Sequence, residues 1–330
     1  MARDAAAAIL VAAIEAETLT AEELRFFGGE QPAGITLFGR NIPQSFVDFH
    51  DNLKSFRNLY RSSDLQPVIA IDQEGGRVAR LKSPFPDNGP ALSLKQKLGE
   101  DPQAIQNYGF TVGTVLRGFG INVNFAPVCD IDTNPKNHAI GDRAFGKDAI
   151  SASEGAERYL SGLQASGVQG CLKHFPGQGD AGEDTHEKGT IISLTHEELM
   201  AREVLPFIKL CRQVNMVMIS HAIYPAFDDK PASLSRKVID GLLKKEMGFE
   251  GVVVSDDLNM KAIPQDPASW SEAICEAVAV GSDMLLVCRD LERCSLALSA
   301  LRAAAAKSKT FAARLEDAAG KVSKLRKRLT

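Results

Sequence analysis

The sequence predicts an α/β fold: a single-domain (β/α)8 TIM barrel with C-terminal helices and room for one irregular strand or helix. Three observations lead there. Eight short, near-continuous apolar runs recur along the chain, the pattern of parallel strands covered on both faces. Amphipathic helical stretches separate most of them. Ionisable side chains gather just past five consecutive runs, at the end where a barrel builds its active site.

In order, the runs are Ile9–Ile14, Ile35–Phe38, Val68–Ile71, Val123–Ala126, Gln169–Leu172, Met216–Ile219, Val252–Val254 and Met284–Val287. The alanines of the first suit a helix equally well. Thr20 with Glu23, Thr195 with Glu198, and Ser269 with Glu272 each fit a capping box at a helix start. Gly118, Gly120, Gly167 and Gly281 stand where helices should end before the next strand. Pro206 lies inside a helical pattern and predicts a kink or a late start. From Leu291 onward the chain is rich in Ala, Lys and Arg and reads as helix. No linker, low-complexity tract or internal repeat intervenes, so residues 1–330 read as one barrel domain with terminal helices over 291–330. The competing architecture is a doubly wound sheet. No Gly-x-Gly-x-x-Gly follows the first strand, which weakens its dinucleotide-binding version.

Composition narrows the function classes. Hydrophobic residues are 44% and charged residues 24%, which excludes global disorder. The formal charge is −4, too mild and of the wrong sign for non-specific nucleic-acid binding. No apolar run approaches the ~18 residues of a membrane helix. Ala5–Ala13 follows Asp4, leads to Glu15 and has no small-residue cleavage site, so no signal peptide is expected. The six cysteines, Cys129, Cys171, Cys211, Cys275, Cys288 and Cys294, form no Cys-x-x-Cys pair and read as buried, reduced thiols of a cytoplasmic protein.

The strand ends supply the candidate chemistry. They carry Asp72-Gln73-Glu74-Gly75-Gly76-Arg77; Asp130, Asp132 and Asp142-Arg143; Lys173-His174; Ser220-His221; and Ser255-Asp256-Asp257. The segment from Lys173 to His186 holds Gly177, Gly179 and Gly182, two histidines and three acids. Asp184 stands two residues before His186, so in extended backbone the two face one way and could form a dyad. His174, Asp180, Asp184 and His186 could instead ligate a metal, or the segment could be a solvated polar loop. Asp256, after three valines and a serine, should be held rigidly, with Asp257 as a capping or structural acid. A rigid carboxylate facing a proton donor is what a retaining glycosidase needs. Asp72 with Arg80 looks like a clamp for sugar hydroxyls, while Glu74 and Arg77 are expected to pair beneath it. Arg143 and Lys173 are candidate donors to sugar oxygens, or partners of Asp130, Asp132 or Asp142. His221 is either a supporting group or a satisfied core histidine.

Taken together, these motifs resemble bacterial β-N-acetylglucosaminidases of glycoside hydrolase family 3, the cytoplasmic single-barrel enzymes of peptidoglycan recycling. The resemblance is carried by Ile71 to Val78, by Lys173-His174-Phe175-Pro176-Gly177 with Asp184-Thr185-His186, and by Ser255 to Met260, and it runs from about residue 10 to 290. It implies Asp256 as nucleophile, His186 as acid/base and Asp184 as its partner. It implies that Asp72, Arg80, Arg143, Lys173 and His174 hold the non-reducing-end N-acetylglucosamine. The implied reaction is retaining hydrolysis of N-acetylglucosamine from 1,6-anhydro-N-acetylmuramic acid, with or without stem peptide, using no metal or organic cofactor. The chain departs from the family at position 178, Gln where His is common, and at 185, Thr where Ser is common. A second domain after the barrel is not expected, so the catalytic groups should all come from the barrel. The alternatives are a phosphorylase that resolves the same intermediate with phosphate, and a barrel that binds sugar without catalysis. The Gly177–Gly189 loop is expected to be mobile.

Overall fold

Eight parallel strands form the barrel: β1 (Leu10–Ala13), β2 (Gly34–Leu37), β3 (Val68–Ile71), β4 (Val123–Asn124), β5 in two segments (Gln169–Gly170 and Leu172–Phe175), β6 (Met216–Ile219), β7 (Val252–Asp257) and β8 (Met284–Val287). The computed structural model describes residues 4–329 except 62, 86, 88, 99–100, 183–188 and 289. Each strand pairs with its neighbours in the chain, and β8 pairs with β1 through Leu10 and Leu285. The two ends of the sheet are the two segments of β5, one paired with β4 and the other with β6. They are separated only by Cys171, so the ring closes inside one strand.

The apolar strands are buried on both faces, as their near-continuous Val, Ile, Leu and Met runs require. Gly34 allows a close backbone approach: a Cβ there would lie 1.9 Å from the carbonyl oxygen of Val68. Helices cover the outside. Those over Pro102–Gly118 and Ala149–Ala165 pack on each other, and the last two, Leu291–Lys307 and Lys309–Arg326, pack against Ala5–Ala8 and Pro267–Val280. Asp283, wholly buried before β8, anchors this side by accepting from Val253 N at 3.0 Å and pairing with Arg314 at 2.6 Å.

The barrel and its terminal helices are those the sequence predicts, and the Thr20 and Thr195 capping boxes form. Pro206 marks a late start, at the head of Leu205–Leu210 after the π-helical turn Leu199–Glu203. Three expectations are corrected. Ser269 does not cap its helix; Asp266 does, with Pro267 in the first turn and Ser269 N donating to it at 3.0 Å. The first predicted strand forms but is one residue shorter at each end, Leu10–Ala13, with a short helix over Ala5–Ala8 before it. β5 and β7 run further than predicted, so Lys173, His174, Asp256 and Asp257 belong to strands. No helix among the described residues is long and apolar enough to cross a membrane. All six cysteines are unpaired, and five are buried.

Candidate active site

The C-terminal ends of the strands surround a cavity of about 710 Å³. Asp72, Arg80, Arg143, Lys173, His174 and Asp256 all line it, so the structure brings together every described member of the predicted site. Asp184 and His186 lie outside the described residues.

On one side stands a charge cluster built from β3, β5 and the segment around Arg143. Lys173, 2% exposed, points its Nζ at Asp72 Oδ1 (2.7 Å) and Glu74 Oε1 (2.6 Å). Arg143 grips the same Glu74 in a fork, Nε to Oε2 at 2.8 Å and Nη2 to Oε1 at 2.9 Å. Burial alone would raise the Glu74 carboxyl; the Lys173 ammonium and Arg143 guanidinium outweigh it and bring it down to about 2. Burial likewise opposes the charges on Asp72 and Lys173, yet their mutual attraction dominates, lowering the acid and raising the amine. All these groups are therefore held ionised near neutral pH. The expected pairing of Glu74 with Arg77 does not form: Arg77 binds Asp142 at 2.8 Å instead. Nor do Arg143 and Lys173 pair with Asp130, Asp132 or Asp142; their carboxylate partners are Glu74 and Asp72.

Asp130 instead serves the segment after β5. It accepts from the backbone N of His174 at 3.2 Å and of Gln178 at 2.8 Å, and meets His174 Nδ1 at 2.6 Å. A carboxylate can only accept, so Nδ1 carries the proton and Nε2 is left for the cavity. Further bonds pin the next residues: Asn137 donates to the carbonyls of Gln178 and Gly179, Asn134 to that of Ala181, and Tyr224 to that of Gly177. Ser220 Oγ donates to Gln178 Oε1 at 2.7 Å. The predicted loop is thus firmly held over its first residues, while 183–188 lie outside the described residues. Of the possible metal ligands, His174 is bound to Asp130 and Asp180 lies 3.3 Å from Arg202.

Opposite β3, with three strands between them on either side of the ring, β7 presents Asp256. Its Oδ1 accepts from Asp257 N at 2.8 Å, and among the described residues no side chain donates to it. Asp257 is the structural acid that the sequence suggests, accepting from Asn259 N and Cys288 N at 3.1 Å each. Burial raises its pKa against those backbone donors. His221 supports this wall. Its Nε2 faces the Asp257 carbonyl at 3.0 Å and must carry the proton, so Nδ1 accepts from Ser233 Oγ at 2.6 Å. Both ring nitrogens are engaged, which makes His221 a supporting group.

Sequence reasoning missed Glu74 as the shared partner of Arg143 and Lys173, Asp130 as the His174 anchor, and buried Glu203. The partners of Glu74 and Asp130 lie far away along the chain, 69 residues for Glu74 and Arg143 and 44 for Asp130 and His174. The one available signal was an acid in a strand-end motif beside unpaired cations.

Comparison with known proteins adds the family. The sequence model of the "Glycosyl hydrolase family 3 N terminal domain" matches residues 12–325. A protein of Pseudomonas aeruginosa named Beta-hexosaminidase is 34% identical over 291 residues, covering 86% of this chain and 83% of the relative. The solved glycoside hydrolase family 3 β-N-acetylglucosaminidase of Paenibacillus sp. superposes with a TM-score of 0.92 at 32% identity, over 99% of this chain and 62% of that one, so this chain spans less than two thirds of its length. NagZ of Neisseria gonorrhoeae, solved with N-trifluoroacetyl-D-glucosamine, gives 0.79 at 28% identity, over 96% and 98% of the two chains.

Proposed function

Since this chain belongs to glycosyl hydrolase family 3, we propose that it is a retaining, exo-acting β-N-acetylglucosaminidase, with residues 1–330 forming one catalytic barrel domain. Its substrates would be cell-wall muropeptides in the cytoplasm: N-acetylglucosamine on 1,6-anhydro-N-acetylmuramic acid, with or without a stem peptide. The observation that carries the reading is the Asp256 carboxylate, which no side chain among the described residues engages, on strand β7 opposite a cluster of ionised hydroxyl-binding groups. The names of the relatives support the acetamido sugar, and six unpaired thiols suit a reducing compartment.

In this reading the sugar lies across the barrel mouth. Asp72 accepts from its hydroxyls, as does His174 Nε2, and Lys173, Arg143 and Arg80 donate to its oxygens. Lys173 spends two of its three protons on Asp72 and Glu74 and keeps one for the ligand. Asp256 Oδ2 attacks the anomeric carbon as the glycosidic bond breaks. His186, oriented by Asp184, gives its proton to the leaving oxygen. Neutral His186 then takes a proton from water, which attacks the glycosyl ester, frees Asp256 and restores the β configuration. No step calls on a metal or an organic cofactor.

Asp256→Ala should abolish turnover of an aryl β-N-acetylglucosaminide; full activity in that variant would sink the assignment. His186→Ala should slow substrates with poor leaving groups most, because good ones need little protonation. Rates on N-acetylglucosaminide, glucoside and xyloside substrates test the acetamido preference. Release of sugar-1-phosphate when phosphate is added would turn the reading to phosphorolysis.

A further inference from the structure

We propose that Glu203 is a positioning residue: a buried carboxylate that, with Arg202, braces from beneath the Gly177–Ala181 segment, which precedes Asp184 and His186 in the sequence. The inference rests on the acid/base reading of His186 given above.

Glu203 ends the π-helical turn Leu199–Glu203, and its side chain is 0% exposed. Its Oε1 accepts from Arg202 Nε at 2.9 Å and from Thr133 Oγ1 at 3.4 Å, while Oε2 is buried with no hydrogen-bond partner. The segment lies directly on it. A Cβ at Gly177, whose φ is +115°, would come within 2.8 Å of the Glu203 Cβ and carbonyl oxygen. One at Gly179 would meet the Ile131 carbonyl oxygen first, at 1.9 Å, and Glu203 Oε2 next, at 3.0 Å. Arg202 touches the same segment, with Nη2 3.3 Å from Asp180 Oδ1. Glu203 and Arg202 thus form a strut between the π-helical turn and the segment.

A carboxylate is a costly choice for packing alone, because burying a charge with one oxygen unsatisfied lowers stability. A glutamine would fill the same volume without the charge. The groups facing Glu203 are Arg202 from its own turn, Asp130 from the loop after β4, Asp180 from the segment, and the Tyr224 phenol from the hairpin after β6. Burial pushes the Glu203 carboxyl up to about 7, with Arg202 opposing and Asp130 and Asp180 adding. When ionised it holds Arg202 against Asp180; when protonated it loosens that hold. A folded-state value above the ordinary 4.5 means that ionising Glu203 destabilises the fold as pH rises from about 4.5 through about 7.

The test compares the intact wild type with Glu203→Gln. At about pH 8 the variant should melt higher than the wild type, since a buried charge is gone. Its kcat on an aryl β-N-acetylglucosaminide with a poor leaving group should nevertheless fall about tenfold, with a change under about twofold for a good leaving group. The gap should close below about pH 6, where the wild-type carboxyl is protonated as well. Amides of residues 178–182 should exchange faster in the variant at the higher pH. Equal losses on both substrates, a ratio that ignores pH, or unchanged exchange would overturn the proposal, because a merely structural role predicts those results. If the wild type hydrolyses neither substrate, the proposed activity fails, and the exchange result still decides the role of Glu203.

Discussion

Lys173 shows how much one side chain can organise. It is the 2%-exposed cation between two carboxylates, one of which faces the cavity and the other the protein interior. Breaking a buried pair of this kind leaves a charge without its partner, at a cost of about 3–5 kcal/mol. Glu74→Gln should therefore lower stability by about that amount and raise KM, as Lys173 and Arg143 lose their common anchor; denaturant unfolding and steady-state kinetics would show it. The pH dependence has a definite sign. Glu74 is held near about 2 against an ordinary 4.5, so its contribution is complete above about 4.5 and is lost as pH falls toward about 2. Lys173 is raised above its ordinary 10.5, so its share persists to at least that pH. The variant should accordingly lack part of the wild type's loss of stability between those acid values. Asp72, Lys173, His174 and Asp256 were legible in the sequence because each follows an apolar run. Their partners were not: a charge's nearest counter-charge depends on which strand ends meet, and linear spacing carries no record of that.

At the level of elements, apolar patterning located all eight strands but misjudged their polar ends. β5 continues through Lys173 and His174, and β7 through Asp256 and Asp257, because ion pairs and backbone donors satisfy these residues inside the ladder. Reading by hydrophobicity stops where such compensation starts. The same holds for Asp266, whose cap was hidden by a second plausible cap three residues later. Glycine positions read more simply. With 1.9 Å between a would-be Cβ and the Val68 carbonyl, Gly34→Ala must push β2 away from β3. Overpacking of this sort costs about 1–3 kcal/mol or more. Thermal melting should show a clear loss in this variant, while Gly28→Ala, with open space around it, should melt like the wild type or slightly above it.

For the whole molecule, the decisive feature is where the ring closes. The strand in two segments, β5, changes partner at Cys171, whose N still donates to the Ala126 carbonyl at 2.9 Å, and it shifts register against β6 between Leu172 and Phe175, as β7 does against β8 between Val254 and Asp257. This strand carries Lys173 and His174. The point where the ring closes therefore lies at the proposed sugar site. A ligand spanning Asp72, Lys173 and Asp256 would act as a clasp across it. Amides of Leu172–Phe175 should then gain more protection from hydrogen exchange on inhibitor binding than those of β1 and β2, and equal protection around the ring would contradict the idea. For this chain, the strand that joins the two ends of the sheet is also the one that carries two of the proposed sugar-binding residues.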